Sequence, residues 1–252
     1  RQKPCQETGG EGCEERQSMT DADLAKFNAA QTALDYIKDG MIVGLGTGST
    51  SAHFVRALGE RVRQGLRVRG VPTSEATRNL AEQVGVPLIE ISQVTAIDVD
   101  VDGADEVDPA FRLVKGGGGA LLREKIVAAA SKHMVVIADE TKWVETLGAF
   151  PLPVEVTRFG FALTQQRVAE ALRKTDCAGD EVVLRVSGKA NEPVITDGGN
   201  YILDAHVNRI ANAEALAAEL QAIAGVVEHG LFIGLAQTVI LGKAKGAEVK
   251  TL

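Results

Sequence analysis

Four stretches of this 252-residue chain gather side chains that can hold an anion or move a proton. In GLGTGST, residues 44–50, the glycines permit a tight turn. Thr47, Gly48, Ser49 and Thr50 then offer hydroxyls and amides at the start of a following helix, a natural phosphate cradle. A dinucleotide fingerprint, G-x-G-x-x-G, would need glycine where Ser49 stands, and the Walker lysine is missing, so a small phosphate ligand is favoured over NAD or ATP. In AIDVDVDGADEVD, residues 96–108, Ile97, Val99 and Val101 alternate with Asp98, Asp100 and Asp102, so a strand would turn the carboxylates to one face. Asp102 and Asp105 bracket the Gly103-Ala104 turn and can converge on a cleft at the strand end. Asp98 and Asp100 are read as structural or solvent-facing. The D-x-D-x-D-G opening imitates a calcium loop, but counting from Asp98 puts Pro109 where the bidentate glutamate belongs.

The third stretch, KGGGGALLREK, joins Lys115 to a glycine loop and a helix. Lys115 can neutralise negative charge developing on a sugar oxygen, and Gly116, Gly117 and Gly118 can present amides to the same ligand. Glu124 shares a helix face with Ala120, Leu121, Val127 and Ala128, an apolar setting that would desolvate its carboxylate and make it more basic. Lys125 points elsewhere and is read as a surface residue. The fourth stretch, VVIADETKW, places Lys142 just past an apolar run, where its ammonium can reach a cleft and bind phosphate as a mobile point charge. Trp143 is read as packing material.

These stretches need elements to position them. Apolar residues at helical spacing over 24–37 precede the short run MIVGL; a helix over 51–62, a strand at RVRGV and a helix over 74–84 follow. Short strands are predicted at PLIEI and AIDVDV, then a helix over about 120–131 and the strand MVVIA. Strands alternating with helices predict a three-layer, mostly parallel sheet of Rossmann-like type, with its ligand at the carboxyl ends of the strands. From FPLPVEV onward the order becomes strand, helix, strand, strand, helix, strand, that of a small ferredoxin-like domain. The tail, LFIGLA and TVILGKA, is expected to return to the first domain as a hairpin or strand. The organisation read from this is a disordered extension over 1–18, a Rossmann-like catalytic domain over 19–150, an inserted α+β ferredoxin-like domain over 151–229, and a return over 230–252.

Composition narrows the partners. A net charge of -7 argues against nucleic acid and anionic membranes, and aromatic residues at 4% leave little for base stacking. No apolar run approaches the roughly 20 residues that cross a bilayer. Three cysteines, Cys5, Cys13 and Cys177, form no metal-ligand pair and fit a reducing, cytoplasmic setting. The four histidines are scattered, so no metal site is expected.

Together GLGTGSTSAHF, PTSEATRNLAEQVG, VDGADEVD, KGGGGALLREKI, ADETKWVETLGAFPLPVEV and TDGGNYILDAH make the chain resemble ribose-5-phosphate isomerase of the A type over essentially Leu24 to Leu252. The resemblance implies homodimers or homotetramers and the reversible isomerisation of ribose 5-phosphate and ribulose 5-phosphate in the non-oxidative pentose phosphate pathway, without metal, nucleotide or other cofactor. It makes Glu124 the base that moves a proton between C2 and C1 through a cis-enediolate. Asp102 and Lys115 would help open the ring and handle oxygen protons and charge, and Asp105 would orient hydroxyls. Thr47 to Thr50, the Lys115 loop and Lys142 are the implied remaining substrate contacts. Gly119, the fourth glycine of KGGGG, departs slightly from the family pattern. Two other classes share some of these features: a sugar-phosphate sensor that binds without turnover, and an enzyme using NAD or CoA or deaminating an amino sugar phosphate.

Overall fold

The short apolar runs of the first half pair as one sheet. In the computed structural model, which describes residues 19–188 and 191–252, six strands lie in the order Gly246–Thr251, Thr238–Lys243, Met134–Asp139, Val99–Asp102, Ile42–Leu45 and Arg69–Pro72. The extension expected over residues 1–18 lies outside the described residues. All neighbours pair in parallel except the hairpin of the last two strands in sequence. Val43 lies opposite Val99 and Leu45 opposite Val101, which fixes the register of the two central strands by their apolar residues. Ile42–Leu45 is flanked on one side by the strand that follows it and on the other by a later one, so the winding reverses there. At such a switch point the loops leaving adjacent strands diverge and open a crevice.

Helices cover both faces. Asp21–Ala33 starts at Thr20, whose side chain accepts from the Asp23 N–H. It buries Ala25, Ala29, Ala30 and Ala33, small residues that allow close approach to Thr238–Lys243. Ser49–Arg63 buries Phe54, Val55 and Leu58. Each such large side chain contributes roughly 1.5–3 kcal/mol on leaving water. Glu75–Gln83 is capped by Ser74, which accepts from the Thr77 N–H.

Between Leu152 and His229 a second sheet forms, antiparallel throughout, in the order Val226–His229, Leu152–Val156, Tyr201–His206 and Glu181–Leu184. The helices Phe161–Lys174 and Ala213–Gln221 close a separate core around Val154, Val168, Leu172, Leu203, Leu216 and Leu220. The fold class is therefore α/β with mixed sheets. Helix Leu121–Ala129 lies at the junction, touching Val99–Asp102 of the first sheet and Leu152–Val156 and Val226–His229 of the second.

Three local expectations differ from the structure. PLIEI forms no named strand: Leu88 makes a single bridge to Gly70, and the chain then turns through the 3-10 helix Ile91–Gln93. The tail hairpin uses Gly246–Thr251, whose exposed alternation of polar residues hid an edge strand, rather than LFIGLA. Leu231–Phe232 instead joins Glu106–Val107 and Leu113–Val114 in a small antiparallel sheet, formed from pairs too short for periodicity to reveal.

Candidate active site

The two loops at the switch point are locked together by one carboxylate. Asp102 ends its strand fully buried, and its Oδ1 accepts from the N–H of Gly103 at 2.7 Å, the N–H of Thr47 at 3.1 Å and the Ser51 hydroxyl at 3.2 Å. Gly46 is required beside it, because a Cβ there would sit 2.0 Å from Asp102 Oδ1. Gly48 adopts φ 122°, which L side chains rarely adopt, and turns the chain into helix Ser49–Arg63. The Thr47 hydroxyl lies among those of Thr73, Ser74 and Thr77 at 2.7, 2.9 and 3.2 Å, a polar knot that holds the loop against the start of the next helix.

Lys115 leaves the small sheet just after Val114, its backbone N–H bonded to Gly230 O at 2.8 Å. Its buried ammonium donates to Gly103 O at 2.6 Å and lies 2.9 Å from Asp102 Oδ2 and 3.5 Å from Glu124 Oε1. The Asp102 contact is close in distance but poorly aligned as a hydrogen bond, so Oδ2 keeps no bonded partner and the pair is held by charge. Burial works against the ammonium, yet Asp102, Glu124 and Asp100 outweigh it and hold the Lys115 pKa above its ordinary value.

Glu124 lies in the middle of its helix on the face it shares with Leu121, Val127 and Ala128, and is 3% exposed. Its Oε2 has no hydrogen-bond partner. Burial pushes its pKa up to about 8; Lys115 opposes the rise, while Asp102 and Asp105 add to it. Asp105 accepts the Gly117 N–H at 2.8 Å. Burial raises its pKa against that bond and the charges of Lys115, Lys142 and Arg185.

These groups line one cleft of about 590 Å³, together with Thr47, Gly48, Ser49, Thr50, Gly103, Ala104, Gly116, Gly117, Gly118 and Lys142. Asp102 lies just beneath it, behind Lys115. The structure thus brings every candidate residue to one place. The cleft also takes in Lys26, from the first helix, which the sequence reading missed. No local pattern marks Lys26, because its helix meets the cleft only through tertiary packing. Among the described residues no group of three His, Cys, Asp or Glu could hold a metal ion.

One reading is narrowed to its structural alternative and one needs correction. Asp100 is not solvent-facing: it is fully buried with neither oxygen hydrogen-bonded, and burial, then the charge of Asp102, pushes its pKa well above the ordinary carboxylate range against the pull of Lys115. Asp98, by contrast, accepts the Ile42 N–H at 2.9 Å and pairs with Lys132 at 2.7 Å near the surface. Lys125 is not a surface residue: its ammonium reaches back under the helix to Glu228 Oε1 and His229 O, both at 2.6 Å, and lies over the Phe232 ring.

Comparison with known proteins bears on this site. A family model described as ribose 5-phosphate isomerase A (phosphoriboisomerase A) matches residues 69–246. The ribose-5-phosphate isomerase A of Nitrobacter hamburgensis is 57% identical over 227 residues, covering 90% of this chain and 97% of that protein. That of Maricaulis maris is 56% identical over 227 residues, with the same coverage of 90% and 97%. Among solved structures, ribose 5-phosphate isomerase A of Methanocaldococcus jannaschii superposes with a TM-score of 0.83 at 40% identity, covering 92% of this chain and all of that one. A D-ribose-5-phosphate isomerase in complex with phospho-erythronic acid gives a TM-score of 0.84 at 39% identity, covering 93% and 100%.

Proposed function

The chain belongs to the ribose-5-phosphate isomerase A family and interconverts ribose 5-phosphate and ribulose 5-phosphate; from that premise, we propose that Glu124 is the base of the reaction. The observation that carries this is its carboxylate: buried, facing the cleft, one oxygen unpartnered, and with Lys115 near the other. A desolvated carboxylate with one oxygen free of donors is basic enough to compete for a proton on carbon.

In the forward direction the ionised Glu124 takes the C2 proton of the open aldose. The C–H electron pair becomes the C1–C2 double bond of a cis-enediolate, and negative charge moves onto O1, where the Lys115 ammonium stabilises it. The O2 proton passes to O1, with Asp102 and Lys115 handling it, and Glu124 returns its proton to C1, leaving the ketone at C2. Asp105 orients the hydroxyls. Lys115 is occupied by carboxylates, so Lys26 and Lys142 are the cations left to meet the phosphate, beside Thr47, Gly48, Ser49 and Thr50. Holding the phosphate there keeps C1 and C2 over Glu124 through repeated transfers. A four-carbon aldonic acid phosphate, whose planar carboxylate copies the enediolate, is expected to compete with substrate.

We further read residues 19–150 with 230–252 as a Rossmann-like domain and 151–229 as an inserted ferredoxin-like one, supported by the strand orders of the two sheets. Assembly into two or four copies rests on the family, with exposed Phe159 and Leu163 offering apolar surface. The cytoplasmic setting rests on the cysteine content. The testing experiment is conversion of ribose 5-phosphate by purified protein in excess chelator. Full turnover supports a carboxylate mechanism, loss on chelation overturns it, and binding without turnover favours a sensor.

A further inference from the structure

The run Gly116 to Gly119 leads from Lys115 to the Glu124 helix, and four glycines in succession have almost no conformational preference of their own. The orientation of these peptides must be imposed from outside, and the structure shows by what. The planar peptide between Gly116 and Gly117 is held at both ends. Its N–H donates to Asp105 Oδ2 at 2.8 Å, and its carbonyl, Gly116 O, accepts from Arg185 Nη1 at 2.9 Å. The same Arg185 nitrogen lies 3.1 Å from Gly117 O. Gly116 O also accepts the Gly119 N–H at 3.0 Å, which closes the turn.

Arg185 comes from the inserted segment, between the strands Glu181–Leu184 and Val186–Ser187. Its fork is set by Asp204, which accepts Nε at 2.8 Å and Nη2 at 2.5 Å, leaving Nη1 for the loop. Its backbone is pinned on both sides, the N–H to Ile202 O at 2.8 Å and the carbonyl to the Val194 N–H at 2.9 Å. The side chain is only 15% exposed, so the pair is sheltered from solvent. A positive charge on a peptide carbonyl also strengthens the N–H at the other end of the same plane as a donor.

We propose that Arg185, braced by Asp204, is a positioning residue for the isomerase site: it fixes the peptide between Gly116 and Gly117 so that its N–H stays on Asp105. A flip of that peptide would turn a carbonyl oxygen toward the Asp105 carboxylate and displace the loop next to Lys115. The inserted segment thereby helps to shape the cleft without contributing a group that touches substrate. This rests on the reading that Asp105 and the glycine loop contact the sugar.

The test compares kcat, KM for ribose 5-phosphate and Tm in the wild type, Arg185→Met, Arg185→Lys and Asp204→Asn, with Glu124→Gln assayed beside them. Arg185→Met is expected to lower kcat about 10- to 100-fold, as a misplacement near 1 Å does, with KM little changed because the phosphate is held elsewhere. Arg185→Lys should recover part of that loss, since an ammonium can still reach one carbonyl, and Asp204→Asn should show the same kcat-weighted pattern more weakly. If Arg185→Met does not fold, the Lys and Asn variants carry the comparison. Unchanged kcat in folded variants, or a fall in kcat that only follows Tm and is not relieved by lysine, overturns the inference. Turnover surviving in Glu124→Gln overturns the reading of the site itself, whereas turnover lost there but intact in the Arg185 variants overturns this inference alone.

Discussion

Glu106 and Glu124 are both 3% exposed, and what surrounds their carboxylates differs completely. Each oxygen of Glu106 has its own backbone donor, the Phe150 N–H at 2.7 Å and the Gly148 N–H at 2.6 Å, where the chain crosses toward the second sheet. Glu155 also meets donors, though both on one oxygen: its Oε1 accepts from the Thr196 hydroxyl at 2.8 Å and the Asn200 amide at 2.9 Å. Glu124 has a lysine at 3.5 Å on one oxygen and nothing on the other. Burial alone therefore does not separate these carboxylates; what separates them is whether donors meet their oxygens. A satisfied carboxylate has little reason to take a proton, and an unsatisfied one has been desolvated without compensation.

The sharpest way to break this contrast is substitution at both glutamates. Glu124→Gln should lower kcat about 10²- to 10⁴-fold, the usual worth of a general base, while binding of an aldonic acid phosphate inhibitor survives. The same change should stabilise the protein. A carboxyl whose folded pKa is raised to about 8 contributes stability that is complete below its unfolded value and lost as pH rises through the folded one. The Tm gain of Glu124→Gln over wild type should accordingly grow from near pH 4.5 to near pH 8. No gain at pH 9 in thermal denaturation would count against the desolvated state of this residue.

Lys115→Met comes next, with kcat expected to fall about 10²- to 10³-fold as charge stabilisation on O1 is lost. Steady-state assay of the folded variant checks it. Glu106→Ala should behave in the opposite way. Removing an acceptor shared by two buried N–H groups costs about 1–3 kcal/mol for each donor left unsatisfied, visible in denaturant unfolding, with kcat per folded molecule nearly intact. A large kcat loss with unchanged stability would erase the contrast between the two glutamates. Smallest is Lys142→Ala, expected to raise KM about tenfold with kcat preserved, as for loss of one phosphate contact worth about 1.4 kcal/mol.

The contrast also explains what could be read from sequence. The apolar face around Glu124 and the glycine loop after Lys115 are local, so spacing alone placed them on a helix and in the loop before it. The alternation that put Asp100 and Asp102 on one strand face was equally legible. What covers that face was not, and Asp100 is buried because helix Leu121–Ala129 and the first sheet close over it. Lys26 reaches the cleft, and Arg185 the glycine loop beside it, across 89 and 70 residues from Lys115, and neither stretch carries a pattern that marks it as part of a site. Lys125 misled for a related reason: helical spacing turned it away from Glu124, but the strand Val226–His229 of the second sheet supplies Glu228 and His229 on that side. The main strands were visible as apolar runs, whereas the edge strand Gly246–Thr251 was not, because an exposed edge needs no apolar face.

The measurement that tests the central claim most directly is the titration of the Glu124 carboxyl in the unliganded protein, followed by carbon NMR with glutamate side chains isotopically labelled and Glu124→Gln used to assign its resonance. A resonance missing from the variant that titrates near pH 8 is the predicted result. Titration of that resonance near the ordinary glutamate value of about 4.3 would contradict the account.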